Sequence, residues 1–194
     1  MRYNELTFQG RNAVLEAFRS GKTIDKLFIL DGCQDGPIKS IVREAKKTDA
    51  IINYVDKERL DRLAGTGHHQ GVVAIGAAYE YAEVEDILAA AKEKGEDPFI
   101  FILDEIEDPH NLGAIIRTAN LAGAHGVIIP KRRAVGLTAT VAKTSAGAIN
   151  YTPVAKVTNI SQTIEELKKQ GLWFVCADTV SYTHLRAHET LMNL

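Results

Sequence analysis

Thirteen residues in the middle of this 194-residue chain carry the most chemistry: Asp-Pro-His-Asn-Leu-Gly (108–113) running into Ala-Ile-Ile-Arg-Thr-Ala-Asn (114–120). They follow an apolar run, Phe99–Leu103, and so sit where a strand turns into a helix. Ligands of open parallel sheets bind at such turns, beyond the carboxyl ends of the strands. With Asn111 as helix cap, the spacing predicts a helix over Leu112–Ala122 ended by Gly123. Leu112, Ile115, Ile116, Ala119 and Ala122 would face the sheet, while Gly113, Arg117 and Asn120 share a second face at i, i+4 and i+7. A glycine one turn before an arginine would leave room for a group to approach the guanidinium, and free N–H groups at the helix start could hold a phosphate. A capped surface helix with a solvated arginine accounts for the same pattern.

Other chemistry-bearing residues form no comparable set. Gly65, Gly67 and Gly71 have the wrong spacing for a dinucleotide fingerprint and precede a strand. His68-His69 lacks a Cys, Asp or Glu at metal-ligand spacing and reads as a polar turn; no metal is expected. Ser145 has no nucleophile elbow, and Lys143, Thr144, Ser145 and Gly147 suit a helix end at the ligand edge. Cys33 and Cys176 are expected to be small buried hydrophobes rather than a bridge.

Several classes are excluded by composition. A hydrophobic share of 45% and a charged share of 25% belong to an ordinary globular chain, not to a disordered or collagenous one. No apolar run reaches the length of a membrane span and the N-terminus has no signal-peptide core, so a cytoplasmic location is expected. The net charge of −2 conceals an uneven distribution. Residues 1–80 carry 12 basic and 11 acidic side chains, residues 81–110 carry 2 and 10, and residues 111–194 carry 9 and 4. The basic C-terminal part, with Lys131, Arg132 and Arg133 in a row, suits an anionic partner, although a charged loop explains it as well.

The elements around these residues alternate. Helices are predicted at Gly10–Ser20, Pro37–Lys47 and Lys57–Ala64, and strands at Lys26–Leu30, Ile51–Val55 and Gly71–Ala78. Residues 79–97 read as an acidic helical linker. A second unit follows with strands Phe99–Leu103, Gly126–Ile129, Thr152–Val157 and Leu172–Ala177, separated by helices Leu112–Ala122, Thr138–Ala148 and Ile160–Gln170. That order implies an α/β fold with a parallel sheet in the second unit.

The string from Asp108 to Asn120 resembles the first motif of the SpoU family of RNA ribose 2′-O-methyltransferases. Gly10-Arg11-Asn12-Ala13-Val14 and His69-Gln70-Gly71-Val72 resemble the two ends of that family's substrate-binding domain, and Lys143-Thr144-Ser145-Ala146-Gly147-Ala148 with Thr152-Pro153-Val154 resembles further family positions. Residues 8–178 are similar to the branch acting on a guanosine of 23S ribosomal RNA. The resemblance implies a ribosomal-protein-like α/β RNA-binding domain at residues 1–78 and a trefoil-knot methyltransferase domain at 98–178. It also implies S-adenosylmethionine as cofactor, ribosomal RNA as partner and a homodimer, with no membrane involved. Arg117 would be catalytic, gripping a phosphate and stabilising charge on the ribose oxygen, because a guanidinium is too weak an acid to serve as a base. Asn111 would contact the substrate side, and Gly113, Thr118, Asn120, Lys131, Arg132 and Arg133 would serve the RNA.

The family continues past this point with an Asn/Ser-Glu-Gly loop and an Ile-Pro-Met … Ser-Leu-Asn segment that hold the cofactor. From Thr179 onward the chain resembles translated sequencing adapter instead, and residues 179–194 read as a non-native tail. The expectation is a truncated catalytic domain, inactive alone, whose cofactor-binding residues are unknown and whose sheet ends on an uncovered edge. A non-catalytic RNA-binding protein and a tRNA 2′-O-methyltransferase are the alternative readings.

Overall fold

A computed structural model describes residues 6–48, 50–65 and 67–177. The tail reading falls on residues 179–194, outside them. The chain divides into a unit ending at Thr158 and another beginning at Asn159.

The first unit contains two sheets. The N-terminal sheet is mixed, in the order β1 (Leu6–Gln9), β4 (Val72–Gly76), β2 (Ile24–Leu30), β3 (Ile51–Val55). β2 and β3 are parallel, and β4 runs antiparallel to both β1 and β2. Alternation along the strands separates two packed faces. Leu27 and Ile29 of β2 and Val72 and Ala74 of β4 meet Val14 and Phe18 of α1 (Arg11–Arg19) and Ile38 and Ile41 of α2 (Gly36–Lys47). Phe28 and Val73, one residue out of phase, meet Leu60 and Ala64 of α3 (Lys57–Ala64) on the other face. Asp35 and Asp56 cap α2 and α3 by accepting from the N–H groups of Ile38 and Arg59. Strand β1 carries no strong apolar alternation and was not predicted; it forms because β4 offers it a free edge.

Residues 79–97 pack against the second sheet through Ala82 and Ile87. Helix α4 (Val84–Lys94) starts at a reciprocal cap in which Glu83 N–H donates to Asp86 at 3.0 Å. Its Ile87 is fully buried, so close over Gly126 that a Cβ there would stand 2.5 Å from Ile87 Cδ1.

The second sheet is parallel in the order β5 (Ile100–Ile102), β6 (Gly126–Pro130), β7 (Val154–Val157), as the strand–helix alternation predicts. Its core joins Val127 and Ile129 of β6 to Leu112, Ile116 and Ala119 of α5 (Pro109–Leu121) and Val141 of α6 (Ala139–Thr144). The predicted helix over Thr138–Ala148 breaks after Thr144 because Ala146 and Gly147 take positive φ, and a 3-10 turn follows at Ala148–Asn150.

Three expectations need correction. Helix α5 starts at Pro109, whose fixed φ suits a first helical position, and its cap is Asp108, which accepts from His110 N–H at 2.8 Å; Asn111 is exposed inside the first turn. Ala122 is exposed beyond the last turn of α5 and does not face the sheet. Leu172–Ala177 is not a strand: it has no ladder partner among the described residues, and Trp173, Val175 and Cys176 are exposed. The second unit's described structure is therefore α7 (Ile160–Lys169), capped by Asn159, and the segment after it.

Candidate functional site

The carboxyl edge of the parallel sheet is built by the loops leaving β5 and β6. These two loops are stitched together: Val135 N–H donates to Ile106 O at 2.8 Å, and Arg133 pairs with Glu105 at 2.8 Å. Both Glu105 and Arg133 sit at positive φ, 50° and 57°, so neither loop relaxes into ordinary extended backbone. Helix α5 leaves this edge, fixed at its start by Asp108 and by the Thr144 hydroxyl, which donates within α6 to Thr140 O at 2.9 Å and stands 3.3 Å from Pro109 O. Thus the Lys143-Thr144-Ser145 segment braces the first turn of α5. Ser145 is fully buried and donates to Ala142 O, which makes it structural.

The four singled-out residues of α5 beyond Asn111 separate into different roles. Arg117 is exposed and has no hydrogen-bond or ion-pair partner among the described residues. Gly113 does not clear space for that guanidinium. It is buried against α6, where an added Cβ would lie 1.9 Å from Thr144 Oγ1 and 2.9 Å from Val141 O. The glycine is required by close helix–helix approach, a cause the i, i+4 spacing to Arg117 could not reveal. Gly113→Ala is expected to cost about 1–3 kcal/mol by forcing α5 from α6; an unchanged urea midpoint would contradict this. Asn120 is half-buried and its amide donates to Thr152 Oγ1 at 3.0 Å, tying α5 to the segment before β7. Thr118 is exposed, its hydroxyl turned back to Ala114 O.

In the N-terminal half the two motif ends meet each other. Arg11 donates from Nε to Gln70 O and from its backbone to Gln70 Oε1, both at 3.1 Å, and pairs with Asp35 at 2.5 Å. Gln70 and Gly71 both take positive φ. Buried His69 completes the turn, 2.9 Å from Asp61 and accepting from Gly71 N–H at 3.0 Å.

Lys131, Arg132 and Arg133 line a cleft of about 1050 Å3 whose opposite wall is Lys26, Lys46, Arg59 and the edge strand Ile51–Asn53. Neither Asn111 nor Arg117 lines it. Sequence reading found the run at 131–133 but missed Lys26, Lys46 and Arg59, which are scattered through a nearly neutral segment with no periodic signal. It also missed the contact between the two walls. Lys156 of β7 forms an ion pair with Asp25 of β2; Asp25 is buried and the Lys156 side chain is mostly covered. Tyr81 donates to the second Asp25 oxygen at 3.0 Å, accepts from Leu137 N–H at 2.9 Å, and presents its ring 4.3 Å from the Lys156 ammonium. Burial, helped by the Asp25 charge, drives the Tyr81 hydroxyl far above its ordinary value. Burial also pulls Lys156 below the usual lysine range despite its carboxylate partner, and the neighbouring Lys26 and Lys131 add to the effect.

Comparison with known proteins fits this arrangement. Residues 98–192 match the SpoU rRNA Methylase family, and residues 9–82 match the RNA 2′-O ribose methyltransferase substrate-binding domain. YacO of Bacillus subtilis (strain 168), assigned by its name to the TrmH family of tRNA/rRNA methyltransferases, is 54% identical over 87% of this chain and 68% of its own length. The chain belongs to the SpoU/TrmH family of RNA methyltransferases. A TrmH-family relative from Staphylococcus haemolyticus is 47% identical over 94% of the SpoU chain described here and 73% of its own length. Among solved structures, the AdoMet-bound rRNA methyltransferase of Sinorhizobium meliloti is 23% identical with a TM-score of 0.39, over 84% of this chain and 58% of that one. AviRb of Streptomyces viridochromogenes, in complex with AdoMet, is 19% identical with a TM-score of 0.41, over 88% and 60%. The chain therefore spans less than two thirds of these two solved proteins.

The large cleft of this SpoU chain does not suit such a cofactor. A sulfonium needs oxygen acceptors and an adenine needs flat apolar walls, whereas the large cleft presents six cations and one carboxylate, Glu107. The chemistry legible in these residues is directed at an anion. No helix among them is long and apolar enough to cross a membrane.

Proposed function

We propose that the protein transfers a methyl group from S-adenosylmethionine to a ribose 2′-hydroxyl of RNA, with a guanosine of 23S ribosomal RNA as the first candidate target. In this reading it works in the cytoplasm as a homodimer. Residues 1–78 hold the RNA, the helical segment 79–97 joins the two domains, and residues 98–178 belong to the methyltransferase domain. The observation that carries it is Arg117: a guanidinium exposed and without a partner among the described residues, on a helix whose first turn is fixed at the carboxyl edge of a parallel sheet. S-adenosylmethionine supplies an electrophilic methyl group when bound. Arg117 grips the phosphate beside the target ribose and stabilises the negative charge that develops on the 2′-oxygen as its proton passes to solvent water. With a pKa above about 12 it stays charged throughout and does not act as the base. Asn111, exposed in the first turn of the same helix, would contact the substrate, whereas Gly113, Thr118 and Asn120 support the helix that presents Arg117.

The relatives' names include tRNA as well as rRNA, so tRNA is the second reading. Incubating the natural gene product with radiolabelled S-adenosylmethionine and either 23S rRNA or tRNA transcripts separates them. Label in alkali-resistant dinucleotides from 23S rRNA supports the first reading, and label in tRNA alone replaces it with the second. Incorporation into neither RNA, by a protein that remains folded, defeats both.

A further inference from the structure

We infer that the cleft between β3 and the loop after β6 is a clamp for an RNA phosphodiester backbone, formed jointly by Lys26, Lys46 and Arg59 of the substrate-binding domain and Lys131 and Arg132 of the methylase domain. The inference rests on RNA as substrate and adds where the strand lies, which residues hold it and what they read.

Charge is the first observation. Five of the six cations lining the cleft come from four separate elements, β2, α2, α3 and the β6 loop, while Arg133 is already paired with Glu105. Lys26, Lys46, Arg59 and Arg132 have no carboxylate partner among the described residues, so the cleft keeps most of its positive charge. Converging like charges destabilise a fold unless a ligand of opposite sign offsets them. Size is the second. At about 1050 Å3 the cleft stands at the top of the roughly 300–1,000 Å3 range of small-molecule pockets, which suits a length of polymer better than a single metabolite.

The lining also says what is read. Ala50, Ile51, Ile52 and Val135 supply the aliphatic lining, and the aromatic in the wall, Phe28, is buried in the core. Bases on a single strand are recognised by stacking on exposed aromatic faces, and this wall offers none. Recognition here is of phosphates, so the clamp sets position and register while sequence is read elsewhere. The strands behind the two walls are joined by the Asp25–Lys156 pair, which links β2 to β7, and by the Tyr81 hydroxyl on Asp25. The cleft is thus formed before RNA arrives.

The test is fluorescence anisotropy of the full chain with labelled oligouridylate and oligoadenylate, titrated from about 50 to 200 mM salt. Lys26→Ala/Lys46→Ala/Arg59→Ala is expected to weaken both RNAs equally, by about tenfold or more, and to lower the slope of log affinity against log salt by about two to three. Lys46→Ala/Arg59→Ala, confined to exposed helix positions, is expected to show about two thirds of that change, which separates lost binding from lost folding. Glu107→Gln should tighten binding, since it removes the cleft's carboxylate. The control Arg19→Ala/Lys92→Ala/Lys94→Ala, with the same loss of charge on other surfaces, should leave the slope in place. An equal loss in control and cleft variants, or a loss for one RNA sequence only, overturns the clamp. RNA binding with a slope unmoved by the cleft substitutions also overturns it and leaves the methyl-transfer reading intact. Failure of the unaltered protein to bind any RNA overturns both.

Discussion

Arg117→Ala is expected to lower methyl transfer in the natural gene product by about a thousandfold while leaving the protein as stable as before. The size follows from its proposed role. Removing one preorganised donor from a developing oxyanion costs about 10²–10³ in turnover, and the loss of a phosphate contact adds to it. The absence of a stability effect follows from its place: the side chain is exposed and ties nothing down among the described residues. Single-turnover rates should fall much more than RNA affinity does. Arg117→Lys should recover part of the phosphate grip but little of the rate, because an ammonium lacks the planar fork of a guanidinium. Near-normal turnover in Arg117→Ala would remove the residue from the reaction.

The second large effect concerns stability. Asp25→Ala leaves the Lys156 ammonium buried without its carboxylate, and breaking such a pair from one side costs about 3–5 kcal/mol. Replacing both partners together, Asp25→Leu with Lys156→Met, should cost far less than the two single changes summed, since no orphaned charge remains. Gly136→Ala attacks the same cluster from another direction, because its Cβ would stand 2.0 Å from Asp25 Oδ2. Urea unfolding of the two singles and the double decides the matter, and additive losses would mean the pair is not coupled. The pH dependence has a definite sign. Tyr81 keeps its proton in the folded protein at pH values where the unfolded chain ionises near 10.0, so its contribution is complete below that value and is lost above it. Lys156 acts oppositely: the folded protein releases its proton before the unfolded chain does, so stability from this group grows as pH approaches 10.5. Tyr81→Phe should therefore flatten the alkaline fall in unfolding free energy, although it forfeits the hydrogen bonds to Asp25 and Leu137 at every pH.

The boundaries legible in advance are those set by local signals. Strand β3 and helix α3 occupy the predicted residues because apolar alternation, an Asp cap and a terminal glycine act within a few positions of one another. The turn into α5 was legible too, and with it Arg117. The cap was misplaced there because Asn111 and Asp108 are both good caps, and the Pro109 ring decides between them. Leu172–Ala177 looked like a strand from its apolar residues alone, but a strand exists only with a partner, and none pairs with it among the described residues.

The amino-acid sequence by itself determined the family, the α/β class, most helix and strand positions and the helix that carries the candidate catalytic arginine. These rest on periodicity, caps and a motif whose residues are neighbours along the chain. Only the tertiary structure decided what lies across from what. It put Thr144 into the space over Gly113, closed the Asp25–Lys156 pair across 131 positions, and gathered Lys26, Lys46 and Arg59 opposite the basic run at 131–133. Such contacts join residues whose separation follows no period, and chain folding alone brings them within reach.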